Sequence, residues 1–395
     1  MTSRAKRSVA GGGADYATGS RLRDREHVRS KRQPMDLPFL MLVVLLLGIG
    51  VIMVLSASFA SAYYNGGNPT YFFLRQLIFA IAGVFIMLII SRVPVVTFHR
   101  FAMLFLLVSI VSLALVPIIG VEENGSKRWL SLGFTTFQPS ELAKVAVVLS
   151  FASMICTYKN KMKTVKYGIL PFAGILVVIV ALLLLQPHLS ASVIIIAVGI
   201  IMMFLGGMQL KWLFGGGAVV GLAGAIVVTQ FSHASSRIAA WLDPFAYAQG
   251  SGWQIVQSLY AIGSGGLLGL GLGQSRQKYL YLPEEHNDYI FAVVCEELGF
   301  IGAMLILALF AVLIVRGYWI SLHAKTRFGS LVAAGLTSLL AVQVFLNVAV
   351  VTNLVPSTGI ALPFFSYGGT ALLIQLAEMG IILSISREIP VKKAG

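Results

Sequence analysis

The sequence predicts an all-α polytopic integral membrane protein with about ten transmembrane helices. Of its 395 residues, 57% are hydrophobic and only 11% are charged. Apolar runs of about 20 residues, the length that crosses the hydrocarbon core of a bilayer, recur along the chain. The runs are continuous rather than alternating in polarity, which favours helices over the strands of a membrane barrel.

Ten apolar runs have the length of a membrane span. The predicted spans are residues 37–57, 71–91, 99–119, 138–157, 166–185, 189–207, 212–231, 288–316, 328–353 and 366–386. Together they predict one membrane domain over residues 36–388. A basic tail of residues 1–35 precedes this domain, and residues 389–395 follow it as a short C-terminal tail.

Basic residues are concentrated in segments that an even number of spans places on one side of the membrane. The first 33 residues contain nine Lys and Arg, and more follow in residues 159–166, 316–327 and 387–393. The positive-inside rule makes that side the cytoplasm, so both termini are predicted to be cytoplasmic. The tail lacks apolar periodicity and is predicted to be disordered. The net charge is +14. Basic residues that set the orientation and face anionic lipid headgroups account for it, so no nucleic-acid partner is needed.

Three segments on the opposite, outer side are longer than turns: residues 120–138, 232–287 and 353–366. The second of these is a large loop between the seventh and eighth predicted spans. Its glycine-rich part, residues 263–273, lacks the βαβ context of a dinucleotide-binding loop. A re-entrant or interfacial segment that packs against protein fits its composition better.

The stretch "PEEHND" precedes the apolar run that begins at residue 288. It places Glu284, Glu285, His286 and Asp288 at the boundary between membrane and water. Partial desolvation there raises the pKa of a carboxyl above its reference value of about 3.9, which suits Asp288 to act as a general base. A polar loop that ends a helix, with Asp288 near the positive helix N-terminus, is the alternative interpretation.

Charged residues also occur inside the predicted spans. Glu296 and Glu297 lie about 12 Å deeper than Asp288 along a helix that rises about 1.5 Å per residue. Intramembrane acids are usually functional or paired, and pairing is favoured here, with Lys144 as one candidate partner. Glu141 and Lys144 are three residues apart on one helix, so a local ion pair and a substrate-facing role are both open for them.

Four blocks of sequence, in order along the chain, carry a family resemblance. They read "NGSKRWL" (124–130), "FQPSELAK" (137–144), "WLDPF…GWQ…YLPEEHNDYIFAVVCEELG" (241–299) and "VPSTGIALPFFSYGGTALL" (355–373). These blocks resemble the SEDS glycosyltransferases, a family that comprises the FtsW, RodA and sporulation-specific peptidoglycan polymerases. The resemblance runs from the first predicted span to the last, and its wording is most like the FtsW branch.

The resemblance implies a peptidoglycan glycosyltransferase that polymerises lipid II into β-1,4-linked glycan strands, for septal or sporulation cell-wall synthesis. It implies a bacterial cytoplasmic membrane protein with its active site on the outer face. It also implies that Asp288 is the catalytic aspartate, that Trp129 is the family's periplasmic-loop tryptophan, and that Glu141 and Lys144 are its intramembrane Glu and Lys.

The resemblance further implies a partner, a class B penicillin-binding protein that crosslinks the new glycan, alongside other division or sporulation proteins. A single-span partner would dock by helix packing, which favours small residues. Gly299, Gly302 and Ala303 lie near the Asp288 end of their span and are the predicted contact surface.

The chemistry of such a polymerase needs few groups. A sugar hydroxyl attacks an anomeric carbon and expels a lipid pyrophosphate, which needs charge neutralisation more than protonation. Polar and aromatic residues of the quoted blocks and of the outer segments are therefore the predicted substrate contacts: Trp129, Lys127, Arg128, Glu141, Lys144, Arg237, Arg276, Lys278, Glu285, His286 and Ser366. Asp288 and Glu284 also offer hard oxygen ligands to Mg²⁺ or Mn²⁺, so a divalent cation is left open as a cofactor.

One stretch departs from the family pattern. The family usually reads "QPDLG" where this chain reads "QPHLSAS", with His188 in place of the acid and Ser190 in place of the glycine. His188 is predicted to be a hydrogen-bonded helix cap. Gln343, Asn347 and Asn353, in a later span, are predicted to hydrogen-bond between helices.

Two other functions are open on the sequence alone. A lipid II flippase would use the same substrate, and a non-catalytic scaffold of the cell-wall machinery would need no base at position 288. A transporter would be expected to show inverted repeats with polar residues at the bilayer midplane. The polar residues cluster instead on the outer side, which favours an enzyme of the outer leaflet.

Overall fold

The structure is a computed structural model that describes residues 34–123, 126–131, 133, 135–209, 211–212, 215, 232–279 and 282–389. Most of the predicted span at 212–231 and nearly all of the basic tail lie outside the described residues, as does most of the short C-terminal tail. The predictions made for those segments therefore remain predictions.

Helices dominate the described residues, and a small sheet is the one exception. In chain order the helices are α1 Leu37–Gly66, α2 Tyr71–Ile90, α3 Val95–Ile119, α4 Pro139–Tyr158, α5 Val165–Gly168, α6 Leu170–Leu184, α7 Leu189–Leu205, α8 Ser232–Leu242, α9 Trp253–Gly265, α10 Ile290–His323, α11 Arg327–Val351 and α12 Gly369–Ser386, with a 3₁₀ turn at Lys159–Lys163. The strands β1 Val121–Glu123, β2 Ser126–Ser131 and β3 Thr136–Phe137 form an antiparallel sheet in that order.

The prediction of an all-α polytopic membrane protein is confirmed. Among the described residues, eight helices are long and apolar enough to cross a membrane, and α7 is a shorter apolar helix. Large apolar side chains such as Met41, Ile78 and Phe85 are exposed on the outside of the bundle. Because lipid is as apolar as these side chains, an apolar exterior is what a membrane-embedded bundle requires.

The most buried helices are α4, α11 and α12. In their most apolar windows 78%, 72% and 61% of the residues are buried, whereas the figures for α2 and α3 are 22% and 28%. The sequence of α4 explains its central place, since it is rich in Ala, Ser and Val and lets neighbouring helices approach closely. α4 packs against α3, α7 and α11.

Helix α10 is interrupted at Gly299, whose φ of 67° and ψ of −173° are not helical. The glycine-rich segment 266–271 packs into this break. The amides of Leu270 and Gly271 donate to the carbonyls of Glu296 and Glu297, at 3.0 Å each. A side chain at Gly269 would lie 2.2 Å from the Glu297 carbonyl oxygen, so only glycine permits this approach. The segment therefore satisfies backbone groups that the break would leave unpaired.

One end of the bundle brings together both ends of the described chain. Asp36 pairs with Arg316 at 2.7 Å, and its amide donates to Ser386 Oγ at 3.1 Å. The amide of Val95 donates to Glu388 Oε1 at 3.1 Å. The connections between α2 and α3 and between α10 and α11 therefore share this end with the first and last described residues.

The three long segments predicted for the outer side converge at the other end. Trp241 at the end of α8 and Asn353 after α11 exchange hydrogen bonds at 3.2 Å. Thr370 at the start of α12 donates to the carbonyl of Thr136 in β3 at 2.8 Å. These contacts join the described parts of residues 120–138, 232–287 and 353–370 into one polar cap over the bundle.

Candidate active site

A cavity of about 1280 Å³ lies beneath this polar cap. Its wall is formed by strands β2 and β3, by parts of α2 and α4, by the start of α7, and by the segments that precede α10 and α12. The charged residues that line it are Arg75, Arg128, Lys144, Arg237, Glu141, Glu284 and Asp288. Four cations and three carboxylates thus face a space large enough for a sugar and its phosphates.

Asp288 lies two residues before α10 begins, where the chain enters the bundle. Its side chain is half-buried in the cavity wall, and none of the described residues donates a hydrogen bond to its carboxylate. A side chain added at Gly359 would come within 2.8 Å of Asp288 Oδ2, so the backbone of that glycine lies directly against the carboxylate. A carboxylate without protein donors is available to accept a proton from a ligand.

The surroundings of Asp288 suit it to act as a base. Burial raises the pKa of Asp288 to about 6, and the negative charge of Glu284 acts in the same direction. The positive charges of Arg128, Arg237 and His286 oppose this rise. The carboxyl is therefore ionised at neutral pH and yet basic enough to take up a proton.

Two guanidinium groups near Asp288 are held by backbone carbonyls. Arg128 on β2 donates from Nη2 to the carbonyl of Pro187 at 2.6 Å, and Arg237 on α8 donates to the carbonyl of Ser357 at 3.3 Å. Burial lowers the pKa of Arg128, with Arg237 acting in the same direction and Asp288 opposing it. Neither is tied up in an ion pair of 4 Å or less among the described residues. Both are free to neutralise a bound anion.

The backbone around Asp288 is fixed by residues from three elements. Asn347 of α11, which is fully buried, donates from Nδ2 to the carbonyls of Asp288 at 2.8 Å and Ile360 at 2.6 Å. Ser366 Oγ donates to the carbonyl of Asn287 at 2.7 Å and accepts from the amide of Leu362 at 2.7 Å. Ser366 lines the cavity, but its hydroxyl already has two protein partners, which gives it a positioning role.

The predicted alternatives for Glu141 and Lys144 are both compatible with the structure. The two form a local ion pair on α4 at 2.8 Å, and both also line the cavity. Trp129 lines the cavity as well, next to Arg128 on β2. A substrate contact and a structural pair are therefore not exclusive for Glu141 and Lys144.

Lys278 is buried away from the cavity, contrary to the prediction from the sequence. It was expected among the substrate contacts, but it is 2% exposed, lies outside the cavity wall and pairs with Glu297 at 2.9 Å. Ser56 Oγ also donates to Glu297, at 2.6 and 2.7 Å to its two oxygens. The predicted pairing of Glu297 is thus correct, but its partner is Lys278 and the expected partner Lys144 binds Glu141.

Glu296, the neighbouring acid, has no cationic partner within 4 Å among the described residues. Its carboxylate accepts from Ser275 Oγ at 2.5 Å and from the amide of Arg276 at 2.9 Å. Hydrogen bonds to the segment before residue 279 therefore replace the predicted ion pair. This is possible because the glycine-rich segment folds back into the break in α10.

Four other predicted contacts do not line the cavity. Lys127 is exposed on β2, opposite Glu122 of β1, and Arg276 is exposed in the segment after α9. Glu285 is buried, and the ring of His286 packs against Phe72 with 4.5 Å between ring centroids. Lys127 lies between Ser126 and Arg128, which both line the cavity, so the alternation of side chains along β2 places Lys127 on the opposite face.

His188 is not the hydrogen-bonded cap that the sequence suggested. It occupies the N-cap position of α7, but its side chain makes no capping hydrogen bond. The ring is buried in the cavity wall, where Nε2 lies 3.5 Å from Gln138 Nε2. Burial lowers the pKa of His188 to about 3, and Arg128 and Lys144 act in the same direction, so the ring is neutral.

Several cavity residues were missed by sequence reasoning. Arg75 and Gln375 are polar residues within apolar spans, a signal that often marks a functional site. Ser357, Thr358 and Gly359 lie within a quoted sequence block and line the cavity, but nothing in the block pointed to the contact of Gly359 with Asp288.

A divalent cation finds little support in the donor set. The described residues contain no group of three or more His, Cys, Asp and Glu side chains that could hold a metal ion. Of the two expected ligands, Glu284 is already bound by Asn287 Nδ2 at 2.5 Å. No catalytic step is therefore derived through a metal.

The fold and the cavity define a class: a polytopic helical membrane protein with a charged cavity built around one carboxylate. The chain belongs to the FtsW/RodA/SpoVE family, whose model, described as "Cell cycle protein", matches residues 37–390. The family resemblance of the four sequence blocks is thereby confirmed.

Curated relatives match over nearly their whole length. The chain is 41% identical over 362 residues to stage V sporulation protein E of Bacillus subtilis (strain 168), covering 91% of this chain and 98% of that protein. It is also 41% identical over 353 residues to the probable peptidoglycan glycosyltransferase FtsW of Trichlorobacter lovleyi, covering 89% and 93%.

Solved structures share the fold. One is a chain from a study of how a peptidoglycan synthase complex coordinates polymerization and crosslinking, with a TM-score of 0.75 at 27% identity, covering 89% of this chain and 98% of that one. Another is the rod shape determining protein RodA of Thermus thermophilus, with a TM-score of 0.67 at 26% identity, covering 91% and 98%.

Proposed function

We propose that this protein is a peptidoglycan glycosyltransferase that polymerises lipid II into β-1,4-linked glycan strands, for septal or sporulation cell-wall synthesis. The observation that carries the proposal is the Asp288 carboxylate in the cavity wall. None of the described residues donates a hydrogen bond to it, and the positive charges of Arg128 and Arg237 act on it. The name of one relative, probable peptidoglycan glycosyltransferase FtsW, supports this activity, and the name of the other, stage V sporulation protein E, supports the sporulation setting.

In the proposed reaction, Asp288 takes the proton of the acceptor sugar's 4-hydroxyl as the oxygen attacks the anomeric carbon of the donor. The new C–O bond forms while the bond from that carbon to the pyrophosphate oxygen breaks, and the leaving pyrophosphate keeps the electron pair. Attack from the opposite face converts an α-linked donor into a β-linked product. Arg128 and Arg237 offset the charge that develops on the pyrophosphate.

The remaining cavity residues would bind and orient the two sugars. Trp129 offers an aromatic face for a sugar ring, and Lys144 offers a further cation beside Glu141. Asn347 and Ser366 hold the backbone of the segment that carries Asp288, so their contribution is to position the base.

The proposed orientation has the polar cap and the cavity on the outer face of the bacterial cytoplasmic membrane, and both termini in the cytoplasm. The basic residues of the connection between α10 and α11 lie at the end of the bundle opposite to Asp288. The positive-inside rule assigns that end to the cytoplasm.

A crosslinking partner, a class B penicillin-binding protein, completes the proposal. One structural relative comes from a synthase complex that joins polymerization and crosslinking. The predicted contact surface needs adjustment, because Gly299 and Ala303 are buried within this chain. The exposed residues at that end of α10 are Phe300, Ile301 and Met304, and these would meet a partner's single helix.

The test is polymerisation of labelled lipid II by the purified full-length protein, alone and with the partner transpeptidase, with products resolved by chain length. Glycan strands from the protein are the expected result. A flippase would transfer lipid II across the bilayer of a proteoliposome without lengthening it, and a scaffold would do neither. Either of these outcomes would reject the proposed activity.

A further inference from the structure

The short segment 187–190, between α6 and α7, forms part of the cavity wall. Its backbone is firmly held: the amide of His188 donates to the carbonyl of Leu183 at 3.0 Å, and its carbonyl accepts from Ser192 Oγ at 3.2 Å. The imidazole is 7% exposed, and its Nε2 can accept a hydrogen bond from the Gln138 side-chain amide at 3.5 Å. That bond leaves Nδ1 as the N–H donor of a neutral ring, and Nδ1 has no partner among the described residues.

Three buried polar atoms around this segment have no hydrogen-bond partner among the described residues. They are His188 Nδ1, Arg128 Nε and Thr358 Oγ1, and all three residues line the cavity. The segment links them, because Arg128 Nη2 donates to the carbonyl of Pro187 and Ser190 Oγ donates to the carbonyl of Thr358. Buried polar atoms are rarely left unpaired, so the cluster points to a ligand.

The chemistry of the three atoms indicates which ligand. Arg128 Nε can only donate, the Thr358 hydroxyl can donate, and a neutral imidazole carries one N–H. Arg128 and Lys144 both bear on His188 electrostatically, so the surroundings are positively charged. Several donors in a positive, buried environment favour an anion with multiple acceptor oxygens, and a phosphate group has this character.

We propose that His188, Arg128 and Thr358 form a subsite that binds a phosphate group of a lipid-linked diphosphate substrate, with His188 as a neutral hydrogen-bond donor. The proposal rests on the function proposed above, because it names the part of that substrate which this wall of the cavity holds. A carboxylate at position 188, which the family pattern usually carries, would add a negative charge there and repel the phosphate.

The experiment measures binding of inorganic pyrophosphate to the purified full-length protein by calorimetry, together with its inhibition of lipid II polymerisation. His188→Phe keeps a ring but removes both nitrogens, His188→Asp adds a negative charge, and His188→Gln keeps an amide donor. His323→Asp, in the last turn of α10 and outside the cavity wall, is the matched control. Thermal unfolding midpoints establish that each variant is folded.

We expect His188→Phe to weaken pyrophosphate binding about tenfold, the effect of one lost hydrogen bond to a charged group. His188→Asp should weaken it further, His188→Gln should recover part of the loss, and His323→Asp should bind as the unaltered protein does. Affinity that is unchanged in both His188→Phe and His188→Asp would overturn the proposal, as would the absence of pyrophosphate binding by the unaltered protein.

Phosphatidylglycerol in the detergent micelle tests the other source of phosphate. If it displaces pyrophosphate from the unaltered protein at equal phosphate concentration, the subsite holds phospholipid headgroups and the proposal fails. The two proposals also fail separately. If the protein polymerises lipid II but its affinity for pyrophosphate does not depend on His188, only the subsite is rejected. If pyrophosphate binding depends on His188 but no polymer forms, only the glycosyltransferase activity is rejected.

Discussion

The ionisation of Asp288 should be visible in the pH dependence of polymerisation. Only the ionised carboxylate can accept the hydroxyl proton, and its pKa is raised to about 6. We therefore expect kcat/KM to be constant above this pH, to reach half its maximum near pH 6, and to fall about tenfold per pH unit below it. Initial rates measured between pH 5 and 8 check this profile.

Charge changes around Asp288 should move the midpoint in opposite directions. Arg128→Gln removes a cation that favours the carboxylate, so the midpoint should move to higher pH, and Glu284→Gln removes an anion and should move it to lower pH. Lys127→Gln is the matched control, because Lys127 lies next to Arg128 but outside the cavity wall. Midpoints that stay in place in both charge variants would contradict Asp288 as the titrating base.

The site was only partly predictable from single residues. Asp288, Arg128 and Trp129 were identified because their sequence blocks resemble those of a known family, and all three line the cavity. Lys278 was misplaced because a lysine in an outer loop is normally solvated. Only the folded chain shows that it reaches Glu297, 19 residues further along.

The segment 357–360 and helix α11 act together on Asp288. Asn347→Leu would remove the amide that bridges the carbonyls of Asp288 and Ile360. Because small misplacements of a catalytic group can cost about 10²-fold, we expect kcat to fall by about that factor with little change in KM. Steady-state kinetics on the purified variant measure both constants.

Thr337→Val provides the comparison for Asn347. Thr337 is buried in the same helix, and its hydroxyl has no partner among the described residues, so this change should leave kcat intact. If Asn347→Leu raises KM and spares kcat, or if both variants behave alike, Asn347 does not position the base.

A buried ion pair between Lys278 and Glu297 lies beside the break in α10. Lys278→Met would leave the Glu297 charge buried without its cation, which costs about 3–5 kcal/mol in comparable pairs. We expect a clear fall in the thermal unfolding midpoint, and recovery of most of it in the double variant Lys278→Met with Glu297→Gln. Arg276→Met, an exposed neighbour, should leave the midpoint where it was. A double variant less stable than Lys278→Met would disprove the pairing account.

The elements were more predictable than their contacts. Continuous apolar runs predicted the spans because hydrocarbon thickness fixes the length of a crossing helix. The interruption at Gly299 was not predicted, because the apolar run continues on both sides of it and a glycine alone does not break a helix. The evidence for it is the glycine-rich segment that bonds to the carbonyls of Glu296 and Glu297.

The whole molecule should present residues 161 and 250 on opposite sides of the membrane. Lys161 belongs to a basic connection and Gly250 to the polar cap near the cavity. In a background without Cys156 and Cys295, a cysteine at position 161 should be protected from an impermeant thiol reagent in intact cells, and one at 250 should react. Equal labelling of the two would refute the proposed orientation.

The convergence of distant segments belongs to the molecule as a whole. The sequence predicted three long outer segments but not which residues of each would meet. Hydrogen bonds such as that from Arg237 to Ser357 bring α8 and the segment before α12 to the same cavity. Arg237 and Ser357 are 120 residues apart in the sequence, so their contact could not be predicted. Many other pairings of polar loop residues are equally compatible with the composition.

The central claim is that Asp288 supplies the base for glycan polymerisation. Asp288→Asn keeps the size and polarity of the side chain but cannot take up the hydroxyl proton, so the purified, folded variant should lose about 10²–10⁴-fold of its lipid II polymerisation rate. Asp243→Asn, an exposed acid of the same outer segment that lies outside the cavity wall, should polymerise as the unaltered protein does. Glycan strands formed by Asp288→Asn at a near-normal rate would contradict the account.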